Sequence, residues 1–180
     1  MSSDKGQFEI GHQPPIGFQD TPGLQKNLPQ EPVSENVPTE DAGFQIYKAA
    51  GKLKGKKAVI TGGDSGIGRA TAILFAMEGA ETLIAYLPEE EEDAQNTKKD
   101  VEKHGGKLHL LAVNLKEKEN CKKVIDEALS KMGGINILFN NHAYQNMVHG
   151  ITELTEEQWE HTFDTNIHRK CIPPASSMWR

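Results

Sequence analysis

Cysteine is scarce: Cys121 and Cys171 are the two in a chain of 180 residues. Two are too few for a disulfide framework, so a reducing compartment, the cytoplasm, is expected. Positive charge is also in short supply, with 20 Lys and Arg against 26 Asp and Glu and a net charge of −6. No basic patch interrupts that balance, which argues against nucleic acid and anionic membrane surfaces as partners. No apolar run approaches the length of a membrane span, and the first residues lack the basic-then-apolar layout of a signal peptide. Histidine is less rare, but His142, His149, His161 and His168 stand seven or twelve residues apart, with no cysteine pair and no H-E-x-x-H. Zinc ligands come closer together or with such partners, so no metal site is expected. Tyrosine is limited to Tyr47, Tyr86 and Tyr144, and the residues four beyond them are Gly51, Glu90 and Val148. No Tyr-x-x-x-Lys therefore occurs.

What is present is organised around residues 57–70. Ala58 to Ile60 form a short apolar run that passes at once into glycines, which suits a buried parallel strand entering a tight turn. Ile67, Ala70, Leu74 and Met77 then recur at helical spacing. A strand, a Gly-rich turn and a helix make the phosphate-binding start of a Rossmann unit. Backbone without a Cβ can approach a pyrophosphate, and the helix N-terminus offers free N–H groups and the positive end of its dipole.

The glycine spacing, Thr61-Gly62-x-x-x-Gly66-x-Gly68, resembles that of the short-chain dehydrogenase/reductase family. The phrase TGGDSGIGRA, with the later YLPEEEEDAQ and NNHAYQ, is similar to its glucose/ribitol-dehydrogenase-like branch. The resemblance implies an NAD(P)-dependent oxidoreductase that transfers hydride to or from an alcohol or carbonyl, with sugars and polyols among the candidates, and full-length relatives that are homo-oligomers. It places Gly62, Asp64, Ser65, Gly66, Ile67 and Gly68 at the cofactor phosphates, and Tyr86 at the position that meets the adenosine ribose. A carboxylate there favours NAD and a nearby Arg favours NADP. Tyr86, the following Leu87 and Ser65 satisfy neither rule, so NAD and NADP both stay open.

Length predicts one domain with a real core. Residues 1–43 hold six of the nine prolines, carry excess acid and show no period, and read as a disordered leader. The alternative is docking through Phe18, Leu24, Phe44 and Tyr47. The resemblance favours it towards the C-terminal end of the leader, because the branch carries a Pro-rich leader ending in a phrase like Tyr47-Lys48-Ala49-Ala50-Gly51-Lys52-Leu53.

Further along, Thr82–Tyr86 reads as a second strand and Glu89–Asp93 as the acidic opening of a helix. Ala94, Thr97, Val101 and His104 give that helix a thin apolar stripe, ended by Gly105 and Gly106. A third strand, Leu108–Val113, ends in Asn114 and Leu115, placed by the resemblance against the adenine. The clearest helix carries Cys121, Val124, Ile125, Ala128, Leu129 and Met132 on one stripe, which makes Cys121 a packing residue. Ile135–Phe139 is the fourth strand. The whole is α/β, a doubly wound parallel sheet with right-handed crossovers, incomplete at its first four strands. The family's strand order puts them as 3-2-1-4, leaving the fourth as an unblunted edge.

The fourth strand ends in Asn140-Asn141-His142-Ala143, similar to the family's Asn-Asn-Ala-Gly. By that likeness Asn140, His142 and Ala143 line the nicotinamide-ribose side. Thr155 and Gln158 form a capping box for another helix. Phe163-Asp164-Thr165-Asn166 resembles the segment that supplies the catalytic asparagine, so Asn166 is the one catalytic residue carried over. The family's Ser and Tyr-x-x-x-Lys have no counterpart. The likeness covers about residues 44–168, the NAD(P)-binding part, and 169–180 has neither period nor motif. A C-terminally truncated oxidoreductase is expected, with a non-catalytic nucleotide-binding or interaction fragment as the alternative.

Overall fold

The computed structural model describes residues 9–171 apart from 14, 16, 18, 20–22, 31, 42 and 169. Its first elements lie in the segment whose composition announces none. A 3₁₀ turn at Gln25–Asn27 is followed by an antiparallel hairpin, β1 (Asn36–Pro38) and β2 (Phe44–Ile46). The stretch read as a disordered leader and the residues just after it therefore carry short elements that composition does not announce. The reason is that its order comes from partners far along the chain. Gln25 is held by residues 66 and 93, and His104 Nε2 lies 3.0 Å from Glu35 Oε2.

Among the apolar anchors considered for the leader, Phe44 is exposed and Phe18 lies outside the described residues. Tyr47 does dock, through its hydroxyl rather than its ring. The O–H donates to the Glu78 carboxylate, which also accepts from the N–H of Ala50 (3.2 Å) and Lys52 (2.7 Å).

The main sheet has four parallel strands in the order β5-β4-β3-β6. They are β3 (Lys57–Thr61), β4 (Glu81–Tyr86), β5 (Lys107–Ala112) and β6 (Ile137–Asn140), with α1 (Gly66–Met77), α2 (Glu91–Lys103) and α3 (Lys118–Met132) as crossovers. This is the incomplete Rossmann-type sheet expected from the sequence. The alternation of a strand splits the core. Val59, Leu83 and Ala85 pack with Val124, Ile125 and Ala128 of α3 on one face. Ile60 and Ile84 pack with Ala72, Ile73 and Ala76 of α1 and Ala94 and Val101 of α2 on the other. Across the helix pair, Arg69 of α1 also reaches Asp100 of α2 at 2.6 Å.

After β6, Thr155 caps α4 (Glu156–Phe163) with the expected reciprocal pair. Gln158 N–H donates to Thr155 Oγ1 (3.2 Å), and Thr155 N–H to Gln158 Oε1 (3.1 Å). The helix loosens into a π turn at Asp164–His168. Loss of pattern beyond His168 does not end the packing. Cys171 is fully buried in the α3-side core, and Asn140 bonds both its N–H (3.1 Å) and its carbonyl (3.0 Å). Burial, with Cys121 alongside, pushes the Cys171 thiol well above its ordinary range. Pro173 and Pro174 lie outside the described residues.

Candidate functional site

The carboxyl ends of β3, β4 and β6 lie side by side, and the turn leaving β3 carries the three glycines. They are required for different reasons. Gly66 has φ of 53°, and a Cβ there would meet nothing within 4 Å. Backbone conformation, not crowding, selects glycine at this position. At Gly68 a Cβ would lie 1.9 Å from the Gly62 carbonyl oxygen and 2.7 Å from Asn141 Nδ2. That glycine lets the helix close onto its own turn. Gly62 has φ of 62° and sits against the backbone of His142.

The first N–H donating within the helix is that of Arg69, to Ser65 O (3.0 Å). The N–H groups of Gly66, Ile67 and Gly68 therefore precede the ladder of α1, at the positive end of its dipole. Ile67 is 74% exposed, so this end of the helix opens outward. One of the three donors is engaged: Gly66 N–H donates to Gln25 Oε1 at 2.7 Å.

Thr61, at the end of β3, ties the opposite wall in place. Its hydroxyl accepts from the N–H of Asn141 (3.1 Å) and His142 (3.3 Å) and lies 2.6 Å from His142 Nδ1. Asn141 Nδ2 donates to Gly62 O (2.8 Å), which clamps the end of β6 to the glycine turn. Asn141 belongs to the quoted Asn-Asn phrase but was not among the expected site residues. Asn140 spends its amide on Cys171, Ala143 is exposed, and Lys170 Nζ reaches His142 O at 2.5 Å. Asn166 brackets one peptide unit. Its Oδ1 accepts from Tyr144 N–H (2.7 Å), and its Nδ2 donates to Tyr144 O (2.8 Å). The Tyr144 ring stacks on His161 at 3.9 Å.

At the other end of the site, Tyr86 is 4% exposed and its hydroxyl donates to Glu91 Oε2 (2.7 Å). Asn114 forms the turn into α3, with Oδ1 accepting from Lys116 N–H (2.9 Å). Leu115 is buried in the α3-side core. Ser65 is half-buried at the N-cap without a side-chain cap bond. Asp64 is 2% exposed and its Oδ2 has no hydrogen-bond partner. Among the described residues, no group of three His, Cys, Asp or Glu is arranged to hold a metal. No helix among them is long and apolar enough to cross a membrane.

Carboxylates crowd this end, and burial has a titration consequence. Burial first, then the charge of Asp64, pushes the Glu90 carboxyl from 4.5 up to about 7, and burial also raises Asp64. A raised acid keeps its proton in the folded state after the unfolded chain has lost it. The stability it contributes is full below about pH 4.5 and is lost as pH rises through about 7. Denaturant unfolding is expected to show the chain roughly 1–2 kcal/mol less stable at pH 8 than at pH 5, allowing for solvent screening of a half-buried group. Glu90→Gln should flatten that slope; an unchanged slope would place the titrating group elsewhere.

Residues 56–169, from the start of β3 through the π turn, match the family model for the short chain dehydrogenases. The chain belongs to that family. Among relatives, the uncharacterized oxidoreductase YhxD of Bacillus subtilis is 40% identical over 153 residues, covering 85% of this chain and 48% of that protein. A glucose and ribitol dehydrogenase homolog of Oryza sativa is 42% identical, covering 79% of this chain and 50% of its own length. The short chain dehydrogenase of Burkholderia cenocepacia, solved in complex with NADP, superposes with a TM-score of 0.62 at 28% identity, over 66% of this chain and 47% of that one. The chain spans about half the length of the curated relatives it matches. Residues 44–180 make up about three quarters of the sequence, so the 85% shared with YhxD reaches into the leader of this family member.

Proposed function

We propose that this short chain dehydrogenase is the nucleotide-binding part of an NAD(P)-dependent oxidoreductase acting on an alcohol or carbonyl, with sugars and polyols among the candidates. The observation that carries the reading is the turn from Gly62 to Gly68. It opens α1 at the carboxyl edge of the parallel sheet, with the early N–H groups ahead of the helical ladder. The pyrophosphate is assigned to the N–H groups of Ile67 and Gly68. The space beside Gly66, where a Cβ would touch nothing, leaves room for it. A nicotinamide bound there would accept or return hydride.

The chain's own residues set the walls. Asn141 fixes β6 to the turn, Thr61 holds His142, and Asn166 holds the peptide at Tyr144. Asn166 acts here as a positioning residue for the loop after β6, since both polar ends of its amide are spent on backbone. A second reading, a nucleotide-binding or interaction part without turnover, is favoured by the absence of any Tyr-x-x-x-Lys in the 180 residues.

Calorimetric titration with NAD and with NADP tests the site. Gly66→Val forces a β-branched side chain to φ of 53°, a conformation such residues avoid, and should weaken binding by about 100-fold or more, a deficit of about 2.7 kcal/mol. Equal affinity in parent and variant would remove the pyrophosphate from this turn.

A further inference from the structure

We propose that Gln25 of the leader, with the carboxylates of Asp64 and Asp93, closes the ribose corner of the site against a 2′-phosphate, so that the chain takes NAD in preference to NADP. The inference rests on the nucleotide reading above and deepens it. Gln25 is 6% exposed although it lies in the proline-rich leader. It bridges the first turns of two helices: its N–H donates to Asp93 Oδ2 on α2 (2.7 Å), and its Oε1 accepts from Gly66 N–H on α1 (2.7 Å). Those two turns flank the end of β4, where the ribose hydroxyl or its phosphate is read in such folds. An N–H at a helix start is a natural phosphate donor; here it is already satisfied by a neutral amide.

The charges around the seat point the same way. Asp64 and Asp93 are each 2% exposed, Asp64 Oδ2 is buried without a hydrogen-bond partner, and Glu90 is half-buried beside them. Of the cations lining the cavity beside Gln25, three are engaged by acids of α2, and Lys99 bonds the Asn96 amide instead. Lys26 pairs with Glu92, and Arg69 (2.6 Å) and Lys103 (2.5 Å) both pair with Asp100. Ser65 and Leu87, where a basic side chain would serve a phosphate, carry no charge. A doubly charged 2′-phosphate would meet buried carboxylates and an occupied donor. A ribose hydroxyl brings no charge and offers a proton to an acceptor-rich corner.

The test is titration of the whole chain with NAD and NADP by calorimetry. The parent should bind NAD at least tenfold more tightly. Gln25→Ala frees the Gly66 N–H and should lower the NAD:NADP affinity ratio by about tenfold; Gln25→Lys, which adds a cation, should lower it further. Damage to the fold would weaken both ligands together and leave the ratio alone, so the ratio reports discrimination. A parent that binds NADP as well as NAD, or a ratio unmoved in both variants, overturns the assignment to Gln25. Failure of the parent to bind either dinucleotide overturns the nucleotide reading itself.

Discussion

Gly68→Ala should abolish dinucleotide binding and cost about 3 kcal/mol or more of stability, although it adds a single methyl group. The added carbon would sit 1.9 Å from the Gly62 carbonyl oxygen, 2.8 Å from its carbon and 2.7 Å from Asn141 Nδ2. Two of those three atoms are backbone, so no side-chain rotation relieves the clash, and overpacking of this kind has no inexpensive relaxation. Either α1 moves away from the turn, or Gly62 loses its contact with Asn141 and the end of β6 is released. Gly66→Ala provides the contrast. It meets open space and bears only the left-handed φ, about 1–2 kcal/mol. Denaturant midpoints and NAD titrations on both variants separate the two effects. A Gly68→Ala protein with the parent's midpoint would show that the turn has room that its geometry denies.

No turnover above background is the expected result when a protein of these 180 residues is assayed with NAD or NADP and a panel of polyols, glucose and aldehydes. Proton transfer to or from the substrate oxygen needs a group held within hydrogen-bond reach, commonly worth 10²–10⁴ in rate. The chain has no Tyr-x-x-x-Lys, and two of its three tyrosines spend their hydroxyls on carboxylates. Tyr47 is bonded to Glu78, Tyr86 is buried against Glu91, and Tyr144 is stacked on His161. His142, the remaining titratable group at the end of β6, leans on Thr61. Turnover that persists through purification and disappears in His142→Ala or Asn166→Ala would assign the proton to one of those residues.

The four strands, the helices between them and the glycine turn were legible in sequence because each rests on a local period, whereas the order of the strands in the sheet was implied by the family resemblance. The apolar runs over 58–60 and 82–86, the stripe from Cys121 to Met132 and the Thr155–Gln158 box involve neighbours within a few residues. Such contacts leave a mark on the sequence. The residues read by likeness are placed differently from one another. Gly62, Gly66, Gly68 and His142 lie together at the carboxyl edge of the sheet, whereas Leu115 is buried in the core and Asn140 turns to Cys171.

What tertiary structure alone decided are the contacts between segments far apart in the chain. Gln25 on Gly66 and Asp93, Tyr47 on Glu78 and Asn141 on Gly62 span 31 to 79 residues, and Cys171 enters the α3-side core from a stretch with no period of its own. Composition gives the leader few apolar residues to bury, and the hairpin at its end leaves Phe44 and Ile46 exposed. It is ordered instead by a few hydrogen bonds to groups that another part of the fold presents. Sequence period cannot show such bonds, because the donor and the acceptor meet only after the sheet has formed.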